Sequence, residues 1–235
     1  MMAVSRDLSA RAGLTPEAVI DAALELTRER HLYGWSIRDL AKRLGVAPSV
    51  IYHHVGGKDL LARRVVGRVI PKIAMPDLSL AWKEWFRALL ISGRDVMREY
   101  PGVAKWVMLH GPMFPDSLRT IDAGVEKLKD AGFGDNAIYA YSLILNNCVA
   151  ALMVADERLL HEDDGPRDHA TIRDEFLRNA ETSKALGEMT ERMVVPLAEG
   201  NEAAERVGNH YYGLVVETTI AGAELLLKQD KQDIL

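Results

Sequence analysis

Residues Ser36–Val55, SIRDLAKRLGVAPSVIYHHV, constrain this chain more than any other stretch. Ile37, Leu40, Ala41 and Leu44 recur at i, i+3, i+4 and i+7, the spacing that gives a short helix one apolar face. Ser36 stands just before that helix. Asp39 follows three residues later, close to a capping box in which side chains and backbone satisfy each other. Gly45 ends the helix where the chain must turn through positive φ. Pro48 opens a second helix at a first-turn position, where its missing N–H costs nothing. Val46, Ile51 and Val55 pack inward on this reading, which leaves Ser49, Val50, Tyr52, His53 and His54 outside. A supporting helix, a Gly turn and an exposed second helix make a helix-turn-helix. Such a corner also occurs in proteins that never touch nucleic acid. Two readings therefore stand: a reader of double-stranded DNA, or a small-molecule-binding or catalytic helical protein whose corner is structural only.

The flanks favour the first. Thr15-Pro16-Glu17 is a helix start with a cap, a Pro in the first turn and an acid near the positive end of the dipole. Val19, Ala22, Ala23 and Leu26 carry an apolar stripe toward His31. Gly56-Gly57-Lys58-Asp59 turns the chain into a further helix, Leu60 to about Ile70. Charge is divided along the chain. Residues 1–75 hold twelve Lys or Arg against seven Asp or Glu, a net of +5; residues 76–235 hold seventeen against twenty-seven, a net of −10. A basic first third on an acidic body fits phosphate contacts made by one end only.

The rest of the 235 residues reads as helices at about Leu80–Arg98, Gly102–His110, Pro115–Ala131, Asn136–Arg158, Ile172–Glu191 and Glu202–Lys228, with no strand run. The fold class is all-α. Pro71 and Pro76 bracket the boundary between a helix-turn-helix domain, 1–70, and a larger domain, 78–235. The segment His161–Thr171, HEDDGPRDHAT, reads as a loop. A single cysteine, Cys148, forms no internal disulfide and fits a reducing cytoplasm. Ala137–Ala155 lacks charge over a membrane-span length, but Ser142, Asn146 and Asn147 lie within it, so a buried helix is expected and no membrane partner. The chain has no GxSxG, no Gly-rich Walker loop and no HExxH, so no catalytic residues are expected. No metal is expected either. His53 and His54 point about 100° apart on a helix, and one cysteine excludes thiolate-type structural zinc.

The order of these features resembles the TetR family of bacterial repressors. The residues that carry the resemblance are Ala22–Leu26, Gly34–Ala41, Leu44-Gly45-Val46, Ile51–Val55 and Lys58–Leu61. Ala47 departs from the family pattern, since many members place a Ser or Thr cap there. The resemblance implies a dimer acting on a palindromic DNA operator. It implies that Arg38 reaches a base edge, that Tyr52 and Lys58 hold phosphates, and that Ser49, Val50 and His53 face the groove. Ser36, Ile37, Pro48 and His54 complete that face.

Beyond residue 78 the chain resembles, more loosely, the effector-binding and dimerisation domain of the tetracycline repressors. Trp82 with Phe86, Ala131-Gly132-Phe133, Ala137–Ser142, Tyr212-Gly213-Leu214 and Ala223-Glu224-Leu225 carry this likeness. It implies that Leu214, Thr218, Ala221, Gly222 and Leu225 form a dimer stripe. A small-molecule effector is expected among Trp82, Trp85, Phe86 and Trp106, with His110, Met113 and Phe114, and with Tyr139, Leu143, Asn146 and Asn147. That set mixes aromatic bulk with a few polar groups, as ligand pockets do. His110 falls near a His that binds the drug's magnesium in tetracycline repressors. Leu89, Gly93 and the Ala155–Asp156 region do not carry the other drug and metal contacts, so no metal or other cofactor is expected beside the effector.

Overall fold

The computed structural model describes residues 14–160, 169–199 and 202–227, and among these it holds helices and turns but no strand. The chain divides into two compact units, Met1–Lys127 and Leu128–Leu235.

In the first unit, α1 (Pro16–Arg30), α2 (Ile37–Leu44), α3 (Pro48–Val55) and α4 (Lys58–Val69) build the corner. Thr15 caps α1 by accepting the Ala18 N–H at 3.2 Å. At α2 the capping box is complete: Ser36 Oγ accepts the Asp39 N–H at 3.2 Å, and Asp39 Oδ2 accepts the Ser36 N–H at 2.8 Å. The Ser36 hydroxyl, donating to Asp39 Oδ2 at 2.6 Å, and then the Ser36 N–H hold the Asp39 carboxyl below the usual carboxylate range. Gly45 sits at φ 68°, and Val46 N–H returns to Ala41 O at 3.0 Å, closing the helix end. At α3 the cap position is Ala47, with no side-chain bond, followed by Pro48.

The inward faces meet in one core. Val19, Leu40, Ile51, Leu61 and Val65 are fully buried; each such side chain contributes roughly 1.5–3 kcal/mol. Beneath them Trp35 donates its indole N–H to Thr27 Oγ1 at 3.1 Å, and Thr27 donates on to Ala23 O at 2.8 Å. A buried aromatic thus keeps its polar handle satisfied.

That core runs on past α4. A short 3₁₀ turn, Ile70–Lys72, leads to α5 (Trp82–Glu99), α6 (Val103–His110) and α7 (Pro115–Asp130). Tyr100, Val103 and Trp106 join the same apolar cluster as the corner residues. The compact unit therefore extends beyond the Pro71–Pro76 segment, because the first turn of α6 packs on the corner rather than apart from it.

In the second unit, α8 (Ala137–Leu160) and α12 (Glu202–Ala223) pack side by side. Between them lie α9 (His169–Ala180), α10 (Lys184–Met189), a π turn at Thr190–Val194 and α11 (Val195–Glu199). The single long helix expected over Ile172–Glu191 is thus broken. Ser183 caps a new start by accepting the Leu186 N–H at 3.4 Å, after a turn at residues 181–183. Of the loop expected over His161–Thr171, residues 161–168 lie outside the described residues, whereas α9 already begins at His169. Cys148 is buried, and burial pushes its thiol up to about 11. Helix α8 is long and apolar enough to cross a membrane by length and composition alone. One side of it packs within this unit through Ala140, Ile144 and Cys148, as a core helix does.

Candidate functional site

The corner presents two kinds of surface. Inside, Ile51 and Val55 of α3 are sealed against the core. Outside, Arg38 and Pro48 are exposed, as are Ser49, Tyr52 and His53, while Val50 and His54 are half-buried. Tyr52 leaves 55% of its surface open, a large fraction for an aromatic side chain on a helix without a partner. The His53 and His54 rings meet edge to face at 5.7 Å. Arg43 of α2 donates two guanidinium N–H groups to the Glu29 carboxylate of α1, at 2.6 and 2.7 Å, which braces the supporting helix on α1. Arg43 therefore serves the fold, and Arg38 is left toward solvent.

Three expected contacts sit differently. Ile37 is 6% exposed and its side chain belongs to the core, so only its backbone lies at the α2 start. The Ser36 hydroxyl is engaged by Asp39, as donor to Oδ2 at 2.6 Å and as acceptor from the backbone. Lys58 turns inward: its ammonium donates to Leu32 O at 2.8 Å and lies 2.6 Å from the centre of the Trp35 ring. Burial pulls its pKa down to about 7, against the pull of Asp39 and Asp59. Sequence reasoning misses this turn, because a Lys after Gly56-Gly57 has the reach for either direction.

The expected effector residues fall into separate groups. Trp106, His110 and Phe114 are brought together. The Trp106 and His110 rings stack at 4.5 Å and 17°, and Phe114 lies 5.7 Å from Trp106. His110 Nδ1 lies 3.0 Å from Trp106 O. A carbonyl only accepts, so Nδ1 carries a proton, and in the neutral ring Nε2 is the acceptor. Trp106 itself is 7% exposed, part of the core, whereas His110 and Met113 face solvent. Trp85 and Phe86 meet edge to face at 5.1 Å and are fully buried, with the Trp85 indole N–H unpaired. Trp82 is half-buried at the head of α5. In the second unit Tyr139, Leu143, Asn146 and Asn147 share an exposed side of α8. Among the described residues no three His, Cys, Asp or Glu side chains cluster as metal ligands would.

A further contact was not legible in the sequence. Phe114 packs on Gly67 of α4, where an added Cβ would stand 3.3 Å from the ring. The aromatic group at the end of α6 thus touches the helix that follows the recognition corner.

On α12, Tyr212, Val216, Ile220 and Ala223 are buried, while Leu214, Thr218, Ala221 and Gly222 are exposed, as is Leu225 in the 3₁₀ turn that follows. Thr218 donates its hydroxyl to Leu214 O at 2.6 Å, so even the polar member of the stripe is satisfied within its own helix.

Comparison with known proteins gives a consistent picture. Residues 19–65 match the family described as "Bacterial regulatory proteins, tetR family", and residues 75–195 match "Tetracyclin repressor-like, C-terminal domain". The chain is 27% identical over 161 residues to the class D tetracycline repressor protein of Escherichia coli, covering 66% of this chain and 72% of that one. It is 25% identical over 152 residues to an HTH-type transcriptional regulator of Saccharopolyspora erythraea, covering 64% of each. In fold it is similar to a TetR variant from Acinetobacter baumannii in complex with minocycline, with TM-score 0.67, 19% identity, and coverage of 94% and 99%. It is also similar to the Streptomyces coelicolor protein ActR in complex with actinorhodin, with TM-score 0.64, 21% identity, and coverage of 90% and 96%.

Proposed function

This chain belongs to the tetR family of bacterial regulatory proteins and is a DNA-binding transcriptional regulator; from that premise we propose that it acts in the cytoplasm as a homodimer on a palindromic operator, and that a small molecule releases it. The family comprises regulators rather than enzymes, so the reading of a catalytic helical protein falls.

The observation that carries the proposal is the α3 surface. Its inner residues are sealed in a core, and Ser49, Tyr52 and His53 remain open beside Arg38. We assign residues 1–70 to reading DNA, with Arg38 on a base edge, Tyr52 on a phosphate, and Ser49, Val50, His53 and His54 toward the groove. One eight-residue recognition helix gives little specific affinity, so two act together. The exposed stripe Leu214–Leu225 is the face on which two copies meet.

Residues 78–235 hold the effector. Trp106, His110, Phe114 and Met113 form its polar and aromatic contact in the first unit. His110 Nε2 accepts a hydroxyl or N–H from the effector. The ligands bound in the structural neighbours, minocycline and actinorhodin, are starting compounds for a screen. Phe114 on Gly67 is the mechanical link, since a shift of Phe114 pushes α4 and so α3.

The test is a titration of the full chain with a duplex selected from a randomised pool. Two protomers per palindromic duplex, with an affinity that falls steeply with salt, are expected. Equal affinity for unrelated duplexes at every salt concentration would overturn the proposal.

A further inference from the structure

Helix α7 begins with donors that its own chain does not answer. Pro115 has no N–H, and the first backbone bond into the helix runs from Leu118 N–H to Phe114 O at 3.1 Å. The N–H groups of Asp116 and Ser117 precede that bond and have no backbone acceptor among the described residues. The Ser117 side chain is 7% exposed, and its hydroxyl has no hydrogen-bond partner. Thr120, in the following turn, behaves as a helical hydroxyl ordinarily does: it donates to Asp116 O, four residues back, at 3.2 Å. Ser117 does not take the equivalent carbonyl, that of Met113. A helical side chain leans toward the N-terminus of its helix, so the Ser117 hydroxyl is directed to the same end as the two unanswered N–H groups. A buried polar group without a partner is a cost that a fold seldom carries unless something else meets it.

This end of α7 adjoins the aromatic group already described. Phe114, whose carbonyl takes the first helical bond, lies 5.7 Å from Trp106, on which His110 stacks. Donors at the start of α7 and the acceptor Nε2 of the neutral His110 ring thus belong to one short stretch, residues 106–117. The Asp116 carboxylate, paired with Arg119, stands in the same turn. Its negative charge disfavours an anion there and leaves a neutral acceptor as the fitting partner.

We propose that Ser117 is a ligand-contact residue, and that its hydroxyl and backbone N–H donate to a neutral carbonyl oxygen of the effector. The proposal rests on the reading that the effector lies against Trp106 and His110. It adds the chemistry of that molecule: a planar aromatic compound with a hydroxyl for His110 and a ketone or quinone carbonyl for the start of α7.

The probes are a hydroxyanthraquinone and the matching hydroxyanthracene, which share the ring system and the hydroxyl and differ in the carbonyls. Binding to the full chain is followed by tryptophan fluorescence, and the Asp116 and Ser117 amides by NMR. The quinone should bind and move both amide signals downfield. In Ser117→Ala its affinity should fall about tenfold, as the loss of one buried hydrogen bond predicts. The hydroxyanthracene should bind more weakly than the quinone, and no more weakly to Ser117→Ala than to the unaltered chain. Without any compound, Ser117→Ala should unfold at the same or a higher temperature, because a hydroxyl without a partner gives the fold nothing. A lower unfolding temperature would assign the hydroxyl to the structure and overturn the proposal. Unmoved amides, or a hydroxyanthracene that binds as tightly as the quinone, would overturn it too. Quinone binding that is lost in His110→Ala and untouched in Ser117→Ala removes the role of Ser117 and leaves the effector site standing; binding of neither probe removes both.

Discussion

Ser36 shows how one side chain can be committed before any partner arrives. Its hydroxyl and backbone are both bound to Asp39, so its contribution is to the start of α2. Ser36→Ala should cost about 1 kcal/mol of stability, as loss of an N-cap does, and should leave base preference unchanged. Denaturant unfolding beside a binding titration separates the two. Arg38 is the reverse case, exposed and outside the core. Arg38→Ala should lose roughly 1–3 kcal/mol against the selected duplex and relax preference at one base pair; a uniform loss at all sequences would place Arg38 on a phosphate instead. Lys58 adds a pH signature. Its folded pKa, about 7, lies below the ordinary lysine value of 10.5. Between those two values the unfolded chain binds more protons than the folded one. Stability from this group therefore rises as pH climbs above 7, and the burial penalty is greatest below it. Unfolding followed from pH 6.5 to 9 should show a steeper rise for the unaltered protein than for Lys58→Met. Parallel curves would mean that the ammonium is not desolvated.

At the scale of elements, legibility followed the strength of local signals. The helices α1 to α4 were readable because their apolar spacing, caps and Gly stops agree, and the resemblance to a known family rests on those same residues. The outward side of α3 was readable for the same reason: once Ile51 and Val55 point in, Ser49, Tyr52 and His53 must point out. The direction of Lys58 was not, because it depends on Leu32 and Trp35, more than twenty residues away in sequence. Trp106 read as a pocket residue, and the packing of α6 against the corner is what places it in the core. The break at residues 181–183 and the π turn at Thr190–Val194 were hidden because helical spacing persists across them; only the Ser183 cap marks the restart. The exposed stripe on α12 supports a prediction at this scale. With small residues at Ala221 and Gly222, and Thr218 bonded to its own backbone, the stripe permits close helix approach. Ala221→Arg should split the dimer, and operator affinity should fall with it. Sedimentation and binding measured on one preparation check both; a monomeric variant with unaltered operator affinity would remove the dimer from the mechanism.

Across the whole molecule, the proposed function joins the reader to its effector contacts mechanically rather than chemically. The basic first third carries the helix-turn-helix, whereas Trp106, His110 and Phe114 lie on later stretches of the chain, and Phe114 meets Gly67 of α4. An effector that binds the displaced arrangement about 100-fold better than the DNA-bound one supplies roughly 2.7 kcal/mol, enough to empty a marginal operator. Linkage then requires the operator to weaken effector binding by the same factor. His110 is the residue that should divide the two functions. It is exposed, and its Nε2 remains an acceptor while Nδ1 is held by Trp106 O. His110→Ala should lower affinity for a compound found by tryptophan-fluorescence screening and leave affinity for the operator intact. Gly67→Ala should do the opposite. It crowds Phe114 from the α4 side, so it should change the coupling factor by more than it changes effector affinity in the absence of DNA. The measurement is a titration of the compound into preformed protein–operator complex, for the unaltered chain and for both variants. A compound that saturates the site in all three proteins and never changes operator affinity would show that the contact of Phe114 with α4 transmits nothing.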